Sequence, residues 1–221
     1  MTSITRTHTI PRAASNSHAE PVMALKRRTI DSVLIGFGAV LTVALVVAGG
    51  LLSWGASFSA DYVGNELSSQ NITFPPAVAL EEEGRTDLLM FAGAAVNTGP
   101  EAEAYASYID GHLDGVADGA TYAELGTPER EANAAVEAAK AKGASEAEIA
   151  ELEGGAAAIT GQRNTLFKGE TLRGLLLSAF AWATVGQIAG YAAIGAFAAA
   201  AVMLVLVALG LRHHHRVVQR S

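Results

Sequence analysis

Asp110, Asp114 and Asp118 recur every fourth residue, with His112 among them. On a helix, carboxylates at that interval share one face, and clustered carboxylate oxygens are what Ca²⁺ takes. Three ligands along one straight helix rarely converge on one ion, and the stretch does not follow a calcium-loop pattern, so the spacing predicts a solvated acidic face. His213-His214-His215, between Arg212 and Arg216, could hold a metal weakly and reads more simply as polar bulk beside an apolar run. Asn71-Ile72-Thr73 fits the glycosylation sequon, a short match that chance supplies often. Between Gly55 and Arg173 the one histidine is His112. Neither a Ser-His-Asp triad nor a two-histidine, one-carboxylate metal site has the residues it needs there. The chain has no cysteine, which excludes thiolate nucleophiles, thiolate metal sites and disulfides. No glycine loop suited to phosphate is present. The expectation is a protein that is not an enzyme, with no catalytic residue, no cofactor, no metal and no small-molecule substrate.

The elements that would carry these residues are set by two charge-free runs, 29 residues between Asp31 and Asp61 and 38 between Arg173 and Arg212. About 20 apolar residues suffice to cross a bilayer core. The fold class expected is an all-α membrane protein, with two transmembrane helices flanking an acidic, helical extracytoplasmic domain. The divisions are a flexible basic tail at 1–31, a first span at 32–54, an outer domain at 55–184, a second span at 185–211 and a short basic tail at 212–221. Trp54 closes the first span at the headgroup layer. The longer run is read as one helix, because it has no proline or polar turn cluster and because two spans would put Arg212, Arg216 and Arg220 outside. Lys26-Arg27-Arg28 before an apolar run resembles a secretory signal, and Ser57-Phe58-Ser59 offers a small-x-small site. Ser32 to Trp54 is 23 residues, against about 7–15 for a signal's apolar region, so an uncleaved anchor is expected.

Charge gives the orientation. Arg6, Arg12, Lys26, Arg27 and Arg28 precede the first span, and only arginines among the charged residues follow the second. The region from Gly55 to Arg173 carries 20 acids against 7 Lys and Arg. Lys and Arg near span ends stay inside, which predicts a plasma-membrane protein with both termini cytoplasmic and residues 55–184 outside. Basic residues that only flank membrane give no nucleic-acid footprint. The absence of charge within either run speaks against a proton relay.

The outer domain reads as helices. Phe58, Tyr62, Val63 and Leu67 fall at helical spacing and carry the first helix outward to about Ser69, before Pro75-Pro76. Thr98-Gly99-Pro100 followed by Glu101 and Glu103 starts a helix whose apolar stripe is Tyr105, Ile109, Leu113 and Val116. Thr127-Pro128-Glu129 starts another, with Thr127 as cap, and Ser145 to Glu148 matches a capping box. Gly143 and Gly154-Gly155 mark stops. Thr165 to Ala181 reads as an amphipathic outward extension of the second span. Only 27 of the 119 residues from Gly55 to Arg173 are large and apolar. The core should therefore be thin and lean on the helix extensions, the membrane surface or a partner.

Small residues line both runs: Gly36, Gly38, Ala44 and Gly49 in the first, and Gly186, Gly190, Gly195 and Ala199 in the second. Helices in lipid associate through such residues. Gly36, Gly49, Gly186, Gly190, Gly195 and Ala199 are the helix-packing candidates, for the partner span or for a second copy.

The block Gln162-Arg163-Asn164-Thr165-Leu166-Phe167-Lys168-Gly169-Glu170-Thr171-Leu172-Arg173, with Trp182, Thr184-Val185-Gly186 and Ile188-Ala189 beyond it, resembles a segment of uncharacterised actinobacterial two-pass integral membrane proteins. Asn65-Glu66-Leu67, Gln70, Ile72 and Phe74-Pro75 resemble the segment after their first span. The resemblance spans both apolar runs and fades over 128–153. It implies a two-pass membrane protein with no assigned activity. Some members carry a ring-opening-dioxygenase name, whose metal site needs two histidines and a carboxylate that this outer region lacks. Within the block Glu170 and Arg173 face each other on a helix, and Arg163, Lys168, Glu170 and Arg173 are the docking candidates. The functional expectation is a non-enzymatic envelope protein, an accessory subunit that binds another membrane protein or itself. The alternative is a small oligomeric channel or transport accessory whose acidic domain concentrates cations.

Overall fold

The computed structural model describes residues 20–218, with side chains placed from 29 to 216. The readings resting on Arg6, Arg12 and Arg220, and on a flexible tail before residue 20, lie outside the described residues, and the side chains of Lys26, Arg27 and Arg28 lie outside those placed. The described chain is all-helical. Helix α1 runs Glu20–Ser69, α2 Ala77–Glu82, a 3₁₀ segment Thr86–Phe91, α3 Gly99–Leu113, α4 Gly126–Ala141 and α5 Glu146–Val218. One isolated antiparallel bridge joins Thr73 and Ala95. The chain divides into two compact units, Leu51–Ala193 and a second made of Met1–Gly50 with Ile194–Ser221.

Several boundaries follow local chemistry. Helix α1 starts at Glu20, inside the stretch assigned to the tail, and ends at Ser69 as its spacing predicts. Asn71 follows in the left-handed region at φ 51°, a conformation its short polar side chain tolerates. Helix α3 opens on a capping box: the Thr98 hydroxyl accepts from the Glu101 backbone, and the Glu101 carboxylate accepts from the Thr98 N–H. The Glu148 N–H donates to Ser145 Oγ at 3.3 Å at the head of α5.

Two boundaries differ from the sequence reading. Helix α4 begins at Gly126 with Leu125 at the cap position. Thr127 lies within the first turn, where its hydroxyl accepts from Arg130 and Pro128 sacrifices only an N–H that has no intrahelical partner. Gly154 and Gly155 do not stop a helix, since α5 passes through both. Glycine weakens a helix by about 1 kcal/mol each, whereas Ala156 and Leu166 beyond the pair are buried on that same helix. A break there would forfeit their packing. The extension predicted from Thr165 thus begins at Glu146.

In the unit Leu51–Ala193 the core gathers Val63 and Leu67 of α1, Phe74, Val96, Ala102 and Ala106 of α3, and Leu176 of α5. Phe74 stacks on Phe91 at 5.2 Å and meets the Tyr105 ring edge-on at 5.1 Å. The predicted stripe divides between this core, which takes Tyr105, and a smaller cluster of Leu113, Leu125 and Leu166, against which Val116 packs, with Ile109 touching both. Helix α3 approaches α5 closely: a Cβ at Gly99 would lie 2.4 Å from Ala183 Cβ, and one at Gly169 would lie 2.3 Å from Leu113 Cδ2.

In the unit Met1–Gly50 with Ile194–Ser221, Ile35, Gly38, Thr42, Leu45 and Gly49 are the covered positions of α1. They recur at alternating intervals of three and four, the spacing of a left-handed helix pair. The remaining faces carry exposed Phe37, Val40, Val43 and Val47 on α1 and Val202, Leu204, Val205 and Leu206 on α5. Two helical stretches, Thr29–Ser69 and Glu146–Arg216, are long and apolar enough to cross a membrane, with 11% of the most apolar window of each buried. A core helix of a soluble domain is covered on all its apolar faces; these are not.

Candidate functional site

The docking candidates fall on one stretch of α5, and most of their charge is used within the chain. Arg173 donates to Glu170 Oε2 at 3.1 Å, the pair that the i,i+3 spacing predicts, and its Nε lies 3.2 Å from Asp110 Oδ1 of α3. Arg163 pairs with Glu129 of α4. It also donates to the Tyr122 carbonyl at 3.3 Å and stacks over the Tyr122 ring at 4.2 Å. The Glu129 carboxyl is held below the usual range by a hydrogen bond with Thr160 first and by Arg163 second. Lys168 is exposed and has no partner among the described residues.

The three aspartates do not form one helical face. Helix α3 ends at Leu113, Asp114 occupies its C-cap, and Asp118 sits in the left-handed region at φ 52°. The Gly119 N–H donates to Asp114 O and reverses the chain. Asp110, Asp114 and Glu170 instead line a cavity of about 330 Å³ with Thr121, Tyr122 and Leu166. Two of those three carboxylates already share Arg173. Among the described residues no group of three or more His, Asp or Glu side chains is placed to hold a metal ion.

His112 has neighbours suited to a structural link. Its Nδ1 lies 3.0 Å from the Tyr108 carbonyl, and its Nε2 lies 3.8 Å from the Glu83 carboxylate. The Tyr108 hydroxyl donates to the same Glu83 at 3.4 Å, and burial together with Glu83 raises the Tyr108 phenol above its ordinary range. No serine or threonine hydroxyl bonds to the imidazole among the described residues.

Sequence reasoning missed the polar node beside it. Arg85 grips Asp87 bidentately at 2.9 and 3.0 Å and reaches α3 through Ser107 O at 2.8 Å and Ser107 Oγ at 3.0 Å. That hydrogen bonding holds the Asp87 carboxyl below its usual range. Arg85 and Ser107 are 22 residues apart, beyond any periodicity. The only local signal was the Arg-x-Asp step, which carries no partner information.

The packing candidates separate into two sets. A Cβ at Gly186 would fall 2.7 Å from Ser59 Cβ, one at Gly190 would lie 3.7 Å from Ala56 Cβ, and one at Gly49 would lie 2.9 Å from the Phe197 ring. These three sit on helix contacts. Gly36 and Gly195 face open space, and Ala199 is exposed while Ala200 beside it is buried. Gly38 against Val207 at 2.9 Å and Gly210 against Ile35 at 3.1 Å complete the contacts. Gly210 was missed because the residues four positions away, Leu206 and His214, are large, so it makes no G-x-x-x-G step.

Compared with known proteins, the chain matches no family model, no curated protein and no solved structure.

Proposed function

We propose that this chain is a two-pass integral protein of the plasma membrane, with both termini cytoplasmic and the unit around residues 55–184 outside. In this reading it acts without catalysis, as a partner-binding accessory subunit of a membrane complex. One observation carries the proposal: two long apolar helices leave most of their large side chains uncovered. Exposed apolar surface on that scale calls for lipid or another apolar helix. The resemblance to two-pass actinobacterial membrane proteins points the same way. The outer unit contributes an acidic surface and the free Lys168, the kind of polar relief by which a partner is selected more than held.

The natural absence of cysteine makes the test direct. Single cysteines at Glu103, Lys168 and Arg216 are probed with a membrane-impermeant thiol reagent in intact cells. Labelling of the first two and protection of the third is expected; the reverse pattern, or protection of all three in cells that label a control outer protein, rejects the topology. Photo-cross-linking from Lys168 then addresses partnership. A defined, stoichiometric adduct is expected, and a protein that runs as a monomer and cross-links to nothing is not an accessory subunit.

A further inference from the structure

The unit Met1–Gly50 with Ile194–Ser221 contains a cavity of about 450 Å³ whose two ends differ in chemistry. One end is apolar, walled by Leu34 and Ile35 of α1 and by Met203 and Val207 of α5. Gly38 and Gly210 line it too, each closed over by the facing helix, with Val207 2.9 Å and Ile35 3.1 Å from where a Cβ would stand. The other end carries Asp31, His213 and His214. Asp31 has no ion-pair or hydrogen-bond partner among the described residues and is half-buried. The volume lies within the range of small-molecule sites, roughly 300–1,000 Å³.

We propose that this cavity is a lipid site selective for a zwitterionic aminophospholipid, taken from the leaflet that faces the two basic tails. The inference rests on the membrane reading above. An acyl chain fills the apolar end, where its alternative is the surrounding lipid, so the tail contributes little selectivity. The polar end supplies it. An ammonium group satisfies the Asp31 carboxylate, which no side chain among the described residues pairs, a charge-assisted contact strengthened beside hydrocarbon. The lipid phosphate lies against the two imidazoles, which donate N–H bonds to it. An anionic headgroup without an amine would bring its negative charge to Asp31 and leave that carboxylate unpaired, which is the costly arrangement. A metal ion is a poorer occupant, since the three polar groups do not converge as a ligand set.

The full chain is reconstituted in phosphatidylglycerol vesicles carrying a trace of either photoactivatable phosphatidylethanolamine or photoactivatable phosphatidylglycerol. Cross-linked peptides are identified by mass spectrometry. Preferential labelling of residues 31–38 and 203–214 by the ethanolamine probe is expected, by about tenfold, the scale of one charge-assisted contact. Asp31→Asn should abolish the preference while leaving helical circular dichroism unchanged, and Asp31→Glu should retain it. Equal labelling by both probes, or a preference that survives Asp31→Asn, overturns the proposal. Should Asp31→Asn fail to reconstitute, competition by unlabelled phosphatidylethanolamine against the wild-type cross-link decides in its place. Resistance of the wild-type chain to alkaline extraction from the same vesicles is measured alongside. A chain that is stripped off fails as a membrane protein, whereas an integral chain with unselective labelling fails only as a selective lipid site.

Discussion

The two compact units use the same small residues on α1 and α5 and close their contacts with different chemistry. In Met1–Gly50 with Ile194–Ser221, glycine faces bulk: Gly38 meets Val207, Gly49 meets the Phe197 ring and Gly210 meets Ile35. The buried hydroxyl of Thr42 bonds back to Gly38 O of its own helix at 2.7 Å. In Leu51–Ala193 the contact includes a polar bond between helices, from Ser59 Oγ to Trp182 O at 2.6 Å. A true apolar core and a set of ion pairs follow it. On the membrane reading proposed above, shape alone suffices for the first unit, because apolar burial gives no advantage in lipid, whereas a unit in water associates through burial and must pair its polar groups.

That contrast predicts where the chain is fragile, and the largest effect belongs to the core around Phe74. Phe74→Ala empties a side chain that is 2% exposed and sits between two aromatic rings. It should cost about 3–5 kcal/mol, read as a lowered unfolding midpoint of the unit Leu51–Ala193 in mild detergent. A loss below about 1 kcal/mol would mean that this unit is held by its long helices and not by its own core.

Next come the glycines, which test shape against position. Gly186→Leu places a side chain where Ser59 already sits, an overpacking cost of about 1–3 kcal/mol. Gly195→Leu points into open space and should leave monomer stability unchanged. If Gly195→Leu instead disrupts an oligomer seen by cross-linking, that face belongs to a second copy or a partner. Ser59→Ala should cost less, about 1 kcal/mol, the net worth of one intramolecular hydrogen bond. A loss clearly above that would mean that the hydroxyl also fills a packing position between α1 and α5.

Much of this arrangement can be read from the residues, and the part that cannot has a physical reason. Thr98, Gly99, Pro100 and Glu101 announce α3 because a capping box is satisfied within four residues. The Glu170–Arg173 pair is legible for the same reason, and Asp110 as its third member is not, because α3 must first be laid against α5. Gly154-Gly155 misleads because a local propensity of about 1 kcal/mol is overridden by packing. Asp110, Asp114 and Asp118 mislead in the opposite direction. Their period is helical, yet the chain turns at Asp114 and Gly119. Gly186, Gly190 and Gly49 were visible as small residues, and so were Gly36 and Gly195. Only the neighbouring helix distinguishes a contact glycine from an open one.

The smallest predicted effect concerns the ion pairs, which among the described residues all lie in the unit Leu51–Ala193. Glu129 is held below the ordinary carboxylate range by Thr160 and then Arg163, so its contact favours the ionised form. The stabilisation is complete above the unfolded value, about pH 4.3, and is lost as pH falls through the lowered folded value. Hydrogen exchange of the α4 amides from 126 to 133 should therefore accelerate below about pH 4 relative to those of α3. Glu129→Gln should make exchange faster at neutral pH and remove that acid dependence. Lys140→Met, which breaks exposed pairs with Glu137 and Glu153, should change exchange little, because solvent screens a surface pair. If both substitutions had equal effects, Arg163 would be no better ordered than a surface lysine, and the distinction between a locking arginine and the free Lys168 on the same helix would collapse.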